Sequence, residues 1–252
     1  MTAAAPGPAA RETPSRPLSP VLSDPWHKEG LLYGQDFAKL RRVLLRQKLL
    51  FTDPSFPPCS SSLSYSGQEQ GQEGVSWLRP HQLYSRPRLV VKGANRNDVN
   101  QGSLGDCWLL CALAGLAESH QRCFERVVPR DQGFGKNESY AGIFHFRFWQ
   151  YGEWVEVVVD DLLPSRAGRP IYVTSDDRGE MWPCLVEKAY AKLNGSYQHL
   201  EGGWPVAAMV DFTGGFPETH GLEDRRPLSL LGEDLFPLLW EAMAPPGTCV
   251  CV

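Results

Sequence analysis

QGSLGDCWLL, Gln101 to Leu110, decides how the rest of the chain is read. A cysteine stands between a glycine-rich turn and an apolar run, with Gln101 six positions before it and Trp108 directly after. The stretch CWLLCALAGLAESH, 107–120, has helical spacing. Leu110, Leu113 and Leu116 share a face, and Gly102 and Gly105 form the turn ahead. Cys107 therefore falls at a helix N-terminus, where unpaired backbone N–H groups carry a partial positive charge. Such a place favours the thiolate over the thiol. Gln101 can aim its amide at a developing oxyanion, with the Cys107 N–H as second donor, while Trp108 shields the site. The alternative is a helix-start cysteine that only packs; Cys111, one turn on beside Leu109 and Leu110, is read that way.

Downstream the period changes. In GIFHFRFWQYGEWVEVVVDDLLP, Phe144, Phe146 and Phe148 alternate with His145 and Arg147, Gly152 marks a turn, and a second run, Trp154 to Val159, follows. This predicts a hairpin of two half-buried strands. WPCLVEKAYAKLNGSY, 182–197, returns to helical spacing with Leu185, Ala189 and Leu193 inward and Gly195 as its stop. Upstream, QDFAKLRRVLLRQKLLF predicts a helix with Phe37, Leu40 and Leu44 on one face. Its opposite side carries Lys39, Arg41, Arg42, Arg46 and Lys48, either a solvated face or a surface for an acidic partner. Residues 52–76 read as a polar loop, and residues 1–26, rich in Pro, Ala and Ser, as disordered. A last amphipathic piece lies near Leu235 to Met243.

Hydrophobic residues make up 42% and charged residues 21% of the 252, ordinary for a globular chain, and the net charge of −4 argues against general nucleic-acid affinity. No apolar run approaches the roughly 20 residues that cross a bilayer. The N-terminus has no basic start followed by an apolar stretch, so it does not read as a secretory signal. Seven cysteines without such a signal are read as reduced thiols in the cytoplasm.

A glutamine followed by Gly-x-Cys-Trp at the start of a helix is the layout of papain-like proteases. QGSLGDCW, YAGIFHFRFWQYGEWVEVVVDDLLP, EMWPCLVEKAYAKLNGSYQHLEGG and VDFTGG, in that order, together resemble the calpains, calcium-dependent cysteine proteases of the cytosol. The likeness runs from Phe37 to Gly215 and is to the first half of the protease core. It implies an α/β fold of the α+β kind, with a central helix carrying the nucleophile beside further helices and a β-hairpin. It divides the chain into a disordered N-terminus, 1–26, the first subdomain, 27–213, and the start of the second, 214–252.

The same resemblance implies roles. Cys107 is the nucleophile, Gln101 an oxyanion donor, and Gly203 a glycine whose backbone pairs with a substrate strand. Calcium, which needs six to eight oxygen ligands, takes the carbonyls of Val91 and Gly93 and the carboxylates of Asp98 and Glu180. Arg96 matches an arginine that pairs with the other half of the core. Taken alone, Asp98 reads as a turn residue, Glu180 as an acid at a helix start and Gly203 as a loop glycine. Protein substrates are implied; a small regulatory subunit is not supported.

The base is the missing part. Enzymes of this class use a histidine, held by an asparagine, roughly 130–150 residues or more after the cysteine. Here His120, His145, His199 and His220 follow Cys107, and the last asparagine is Asn194. His145 is read as a surface or edge histidine, and His199 and His220 as loop residues. The expectation is a chain that lacks the family histidine and asparagine and is inactive alone. A truncated splice product, a fragment or incomplete gene model, and a non-catalytic family member all fit; the alternative function is a non-catalytic truncated isoform acting as a calcium- or substrate-binding decoy.

Overall fold

The computed structural model describes residues 30–65, 73–119, 121–135 and 138–217, together with Pro237. The segment 1–26 lies outside the described residues, as does most of 214–252, including the piece near 235–243 apart from Pro237.

Helix α1 (Phe37–Gln47) begins where the Asp36 side chain accepts a hydrogen bond from the Lys39 amide at 2.9 Å, and stops at Lys48, whose φ of 55° is left-handed. Phe37 is buried and Leu40 and Leu44 lie half-buried beside it, the stripe their spacing predicts. The stretch read as a polar loop holds more structure than expected. It forms one helical turn, α2 (Ser60–Leu63), and buries Asp53, Phe56 and Leu63. Strand β1 (Ser76–Leu78) and the turn α3 (Pro80–Leu83) follow.

Helices α4 (Cys107–Ser119) and α5 (Gln121–Val127) lead to the hairpin, β2 (Ile143–Gln150) and β3 (Glu153–Asp160). Phe144 faces Val159, Phe146 faces Val157 and Phe148 faces Val155 across the register. Tyr151 and Gly152, with φ of 51° and 93°, make the two-residue turn that suits the twist of paired strands. The three phenylalanines are fully buried, each contributing about 1.5–3 kcal/mol relative to exposure. A three-stranded antiparallel sheet is built separately, with β4 (Leu163–Arg166) between β1 and β5 (Arg169–Pro170). Helices and antiparallel strands are thus segregated, the α+β arrangement.

The hairpin is not half-buried. Its second face is covered by α1, and the His145 ring stacks on Phe37 at 3.9 Å. His145 is buried, which corrects its reading as a surface or edge residue. Alternation placed it opposite the phenylalanines, and that was right; the error was to give that face to solvent. Val157, Val158 and Val159 were the signal, since three consecutive buried valines mark a strand covered on both faces.

Helix α6 (Trp182–Asn194) ends before Gly195, whose φ of 102° suits glycine, as predicted. Every residue from Trp182 to Leu193 is buried, including Glu187, Lys188 and Lys192. Lys188 Nζ pairs with Asp160 and donates to the Leu162 carbonyl at 2.6 Å. Lys192 Nζ reaches Asp53 Oδ2 at 2.6 Å, Gln35 Oε1 at 2.5 Å and the Val158 carbonyl at 2.6 Å. Burial pulls the Lys192 ammonium below its ordinary range, and Asp53 works against that shift. The sequence reading did not assign α7 (Pro205–Thr213), which packs on α4 and β2. Pro205 in its first turn and Gly214 just past its end were the available signals.

Candidate active site

Residues 100–106 reach α4 as a loop pinned on the strip 171–174. Asn100 and Thr174 exchange backbone hydrogen bonds at 2.8 and 2.9 Å. The Ser103 amide and hydroxyl both donate to the Ile171 carbonyl, at 2.9 and 2.8 Å. Gly102 lies so close to this strip that a Cβ would stand 2.3 Å from the Tyr172 carbonyl oxygen, so only glycine fits. The Asp106 carbonyl then accepts from the Leu109 and Leu110 amides at 2.9 and 3.1 Å, and the helix begins.

Cys107 is exposed at the first position of α4. Gln101 is exposed too; its Nε2 donates to the Leu104 carbonyl at 2.7 Å, occupying one of two N–H donors and leaving the other. Trp108 Nε1 donates to the Leu200 carbonyl at 2.7 Å, which fixes the indole next to Cys107. Gly203 lies flat on that indole: a Cβ there would come within 2.4 Å of the ring. The Gly202 amide donates to the Gly105 carbonyl at 3.0 Å, so the Gly203 loop and the Cys107 loop are joined directly. Cys111 is exposed, against the expectation that it packs. Four residues on from Cys107, it shares the face of α4 that the core leaves open.

The four residues assigned to calcium form a second group. Segments 88–91 and 179–182 run side by side through hydrogen bonds of Arg88 with Gly179 and Met181, and of Trp182 with Leu89. Glu180 is buried, accepting from the Val91 amide at 2.6 Å and the Ser175 hydroxyl at 2.7 Å. Asp98 is buried as well, with the Asn95 amide at 2.8 Å and side-chain nitrogen at 2.9 Å. Gly93 turns the intervening chain at a φ of 93°. Burial, with the Asp98 carboxyl in contact, pushes the Glu180 carboxyl up to about 7. Two buried carboxyls in contact fit an oxygen-seeking cation in place of the proton between them. Among the described residues no three or more His, Cys, Asp or Glu side chains are placed to hold a metal ion by themselves, so such an ion needs backbone carbonyls. Arg96 is exposed one turn away.

The described histidines have other partners. His145 Nδ1 lies 2.9 Å from Glu156 and Nε2 2.8 Å from Asp131. Burial pushes Glu156 up, but the bonds from His145 and the Phe37 amide outweigh it and hold Glu156 below its usual range. His199 Nδ1 meets the Ser196 hydroxyl at 2.8 Å in the 3-10 turn Tyr197–Leu200. His120 and His220 lie outside the described residues.

The chain matches the sequence model of a family described as calpain family cysteine protease over residues 51–244. It belongs to the calpain family of cysteine proteases. It is 52% identical to calpain-8 of Mus musculus over 197 residues, 77% of this chain and 27% of that protein. It is 48% identical to the calpain-2 catalytic subunit of Gallus gallus over 231 residues, 89% of this chain and 31% of that one. With the calpain-1 catalytic subunit of Rattus norvegicus it shares 48% over 201 residues, 78% and 28% of the two lengths. The chain thus spans under a third of these relatives. Its mixed helices and strands are those of a papain-like α+β protease core.

Two residues next to Cys107 and its loop escaped the sequence reading. Asp106, directly before Cys107, and Glu187 on α6 are both buried and in contact with one another. The only trace in sequence is the charged pair Glu187–Lys188 inside an apolar helical run.

Proposed function

We propose that this chain is the nucleophile-bearing half of a calcium-dependent intracellular cysteine endopeptidase acting on protein substrates in the cytoplasm. The observation that carries the reading is Cys107, exposed at the first position of α4, with Trp108 locked beneath Gly203. In the reaction, Cys107 Sγ attacks a peptide carbonyl, and the free N–H of Gln101 and the Cys107 amide receive the oxyanion. Gly203 offers backbone to the substrate strand. Asp98 and Glu180, with the carbonyls of Val91 and Gly93, would hold calcium; when bound, the ion supplies the positive charge that lets both carboxyls ionise. No asparagine follows Asn194 in the sequence; of the described histidines, His145 and His199 bond elsewhere and His81 packs against Phe134 and Tyr140. The proton acceptor for Cys107 therefore comes, in this reading, from the second half of the core. A second reading, a calcium- or substrate-binding decoy, draws on the carboxyl pair and the Gly203 platform being formed here while the described histidines His145 and His199 bond elsewhere. Nothing in the chain supports a nucleic-acid partner, and no described helix is long and apolar enough to cross a membrane.

The test is hydrolysis of a fluorogenic peptide by the purified chain and its Cys107→Ser variant, with calcium or chelator. The expected result is no turnover alone, and calcium-dependent turnover after adding a calpain second-half fragment, lost in the variant. Turnover by the chain alone would place a base within it. No turnover with the fragment would leave the decoy.

Calcium affinity is expected to fall about tenfold per pH unit below about 7, because a proton on Glu180 must be displaced, and to level off above it. Calorimetric titration of the chain across pH 5.5–8.5 checks the slope, with Glu180→Gln abolishing it.

A further inference from the structure

Beneath the nucleophile, Asp106 is fully buried, and neither carboxyl oxygen meets a hydrogen-bond donor on another residue. The group it does meet is Glu187 of α6, 1% exposed, whose carboxyl is in hydrogen-bonding contact with it. Two ionised carboxylates in contact away from water repel, and neither has a proton to donate. Among the described residues neither carboxyl has an ion-pair partner to relieve this.

Glu187 also accepts the Val173 amide, its two oxygens lying at 3.2 and 3.4 Å. Val173 belongs to the strip on which the nucleophile loop is pinned through Asn100, Ser103 and Thr174. A ring results. Asp106 meets Glu187, Glu187 holds Val173, the strip 171–174 holds residues 100–103, and the loop runs back to Asp106. Gln101 and Cys107 both ride on it.

We propose that Asp106 and Glu187 share a single proton, and that the hydrogen bond it makes closes this ring and so positions Gln101 and Cys107. Asp106 is then a positioning residue: its carboxyl is buried while Cys107 faces outward. Its weight for catalysis rests on the reading of Cys107 as nucleophile; the ring does not.

Burial drives both carboxyls upward, Glu187 well above its ordinary range with Asp106 against it. Cys184 faces the pair from one turn earlier on α6, Tyr172 from the strip and Tyr197 from the 3-10 turn. Burial raises all three, so they remain neutral beside it. Arg166 and Glu201 act further out, on Tyr172. A carboxyl raised on folding keeps its proton to higher pH than in the unfolded chain. The hydrogen bond is therefore present below the raised value and is lost as pH rises through it.

The test uses the full chain and two readouts other than activity. Infrared spectroscopy follows the protonated carboxyl as pH is raised from 5, the band of Glu180, pushed up to about 7, being identified by its loss in Glu180→Gln. Amide hydrogen exchange follows Asn100, Ser103, Val173 and Thr174, corrected for intrinsic rates. The wild type should keep a carboxyl band that both Asp106→Asn and Glu187→Gln remove. Both amide variants should keep the four amides protected, since an amide N–H replaces the shared proton. Asp106→Ala should exchange about 10- to 100-fold faster there, the range for a buried acceptor left unpaired. Absence of the band in the wild type overturns the proposal. So does loss of protection in the two amide variants, a comparison that stands even if Asp106→Ala does not fold. An inactive chain in the peptide assay leaves both readouts untouched.

Discussion

Helices α4 and α6 are each 13 residues long, and their burial is the reverse of their polarity. Helix α4 has no charged side chain before Glu118, yet Cys107, Cys111 and Glu118 leave one face open. Helix α6 carries Glu187, Lys188 and Lys192 and is buried on all sides. Hydrophobicity alone puts the wrong helix in the middle. What admits α6 to the interior is that each of these side chains has a partner: Asp160 for Lys188, Asp53 for Lys192 and the Val173 amide for Glu187. Helix α4 lies at the edge with Cys107 facing outward, as the proposed nucleophile requires.

The sharpest way to break this contrast is to remove one partner. Lys192→Met leaves Asp53 buried without its cation and should destabilise the chain by about 3–5 kcal/mol in urea unfolding. Adding Asp53→Asn should recover most of the loss; a double variant no better than the single one would mean that the ammonium is held for reasons other than Asp53. The smallest effect is expected on α4. Cys111→Ser, on the open face, should change stability by less than about 0.5 kcal/mol in the same assay. A loss above 1 kcal/mol would restore the packed thiol that the sequence suggested.

The contrast also explains what sequence could convey. Periodicity is local, so the helix behind Cys107, the hairpin and the stop at Gly195 were all legible. Gln101, Cys107 and Trp108 stand out for the same reason, since they occupy a few adjacent positions. Pairing across the chain leaves no such trace. Lys192 sits 157 residues from Gln35 and 139 from Asp53, and His145 lies 14 from Asp131 and far from Phe37, which covers it. Cys111 was misread for a related reason: spacing shows which residues share a face, not whether anything lies against it. Asp98 and Glu180 became neighbours only through the backbone pairing of 88–91 with 179–182.

The distance from Asp53 to Lys192 has a consequence in time. A ribosome adding roughly 5–20 residues per second needs about 7–28 s to travel those 139 positions. Throughout that interval Asp53 has left the exit tunnel without the cation that allows it to be buried. Asp53 thus waits for α6 to be synthesised before it can be buried with its partner.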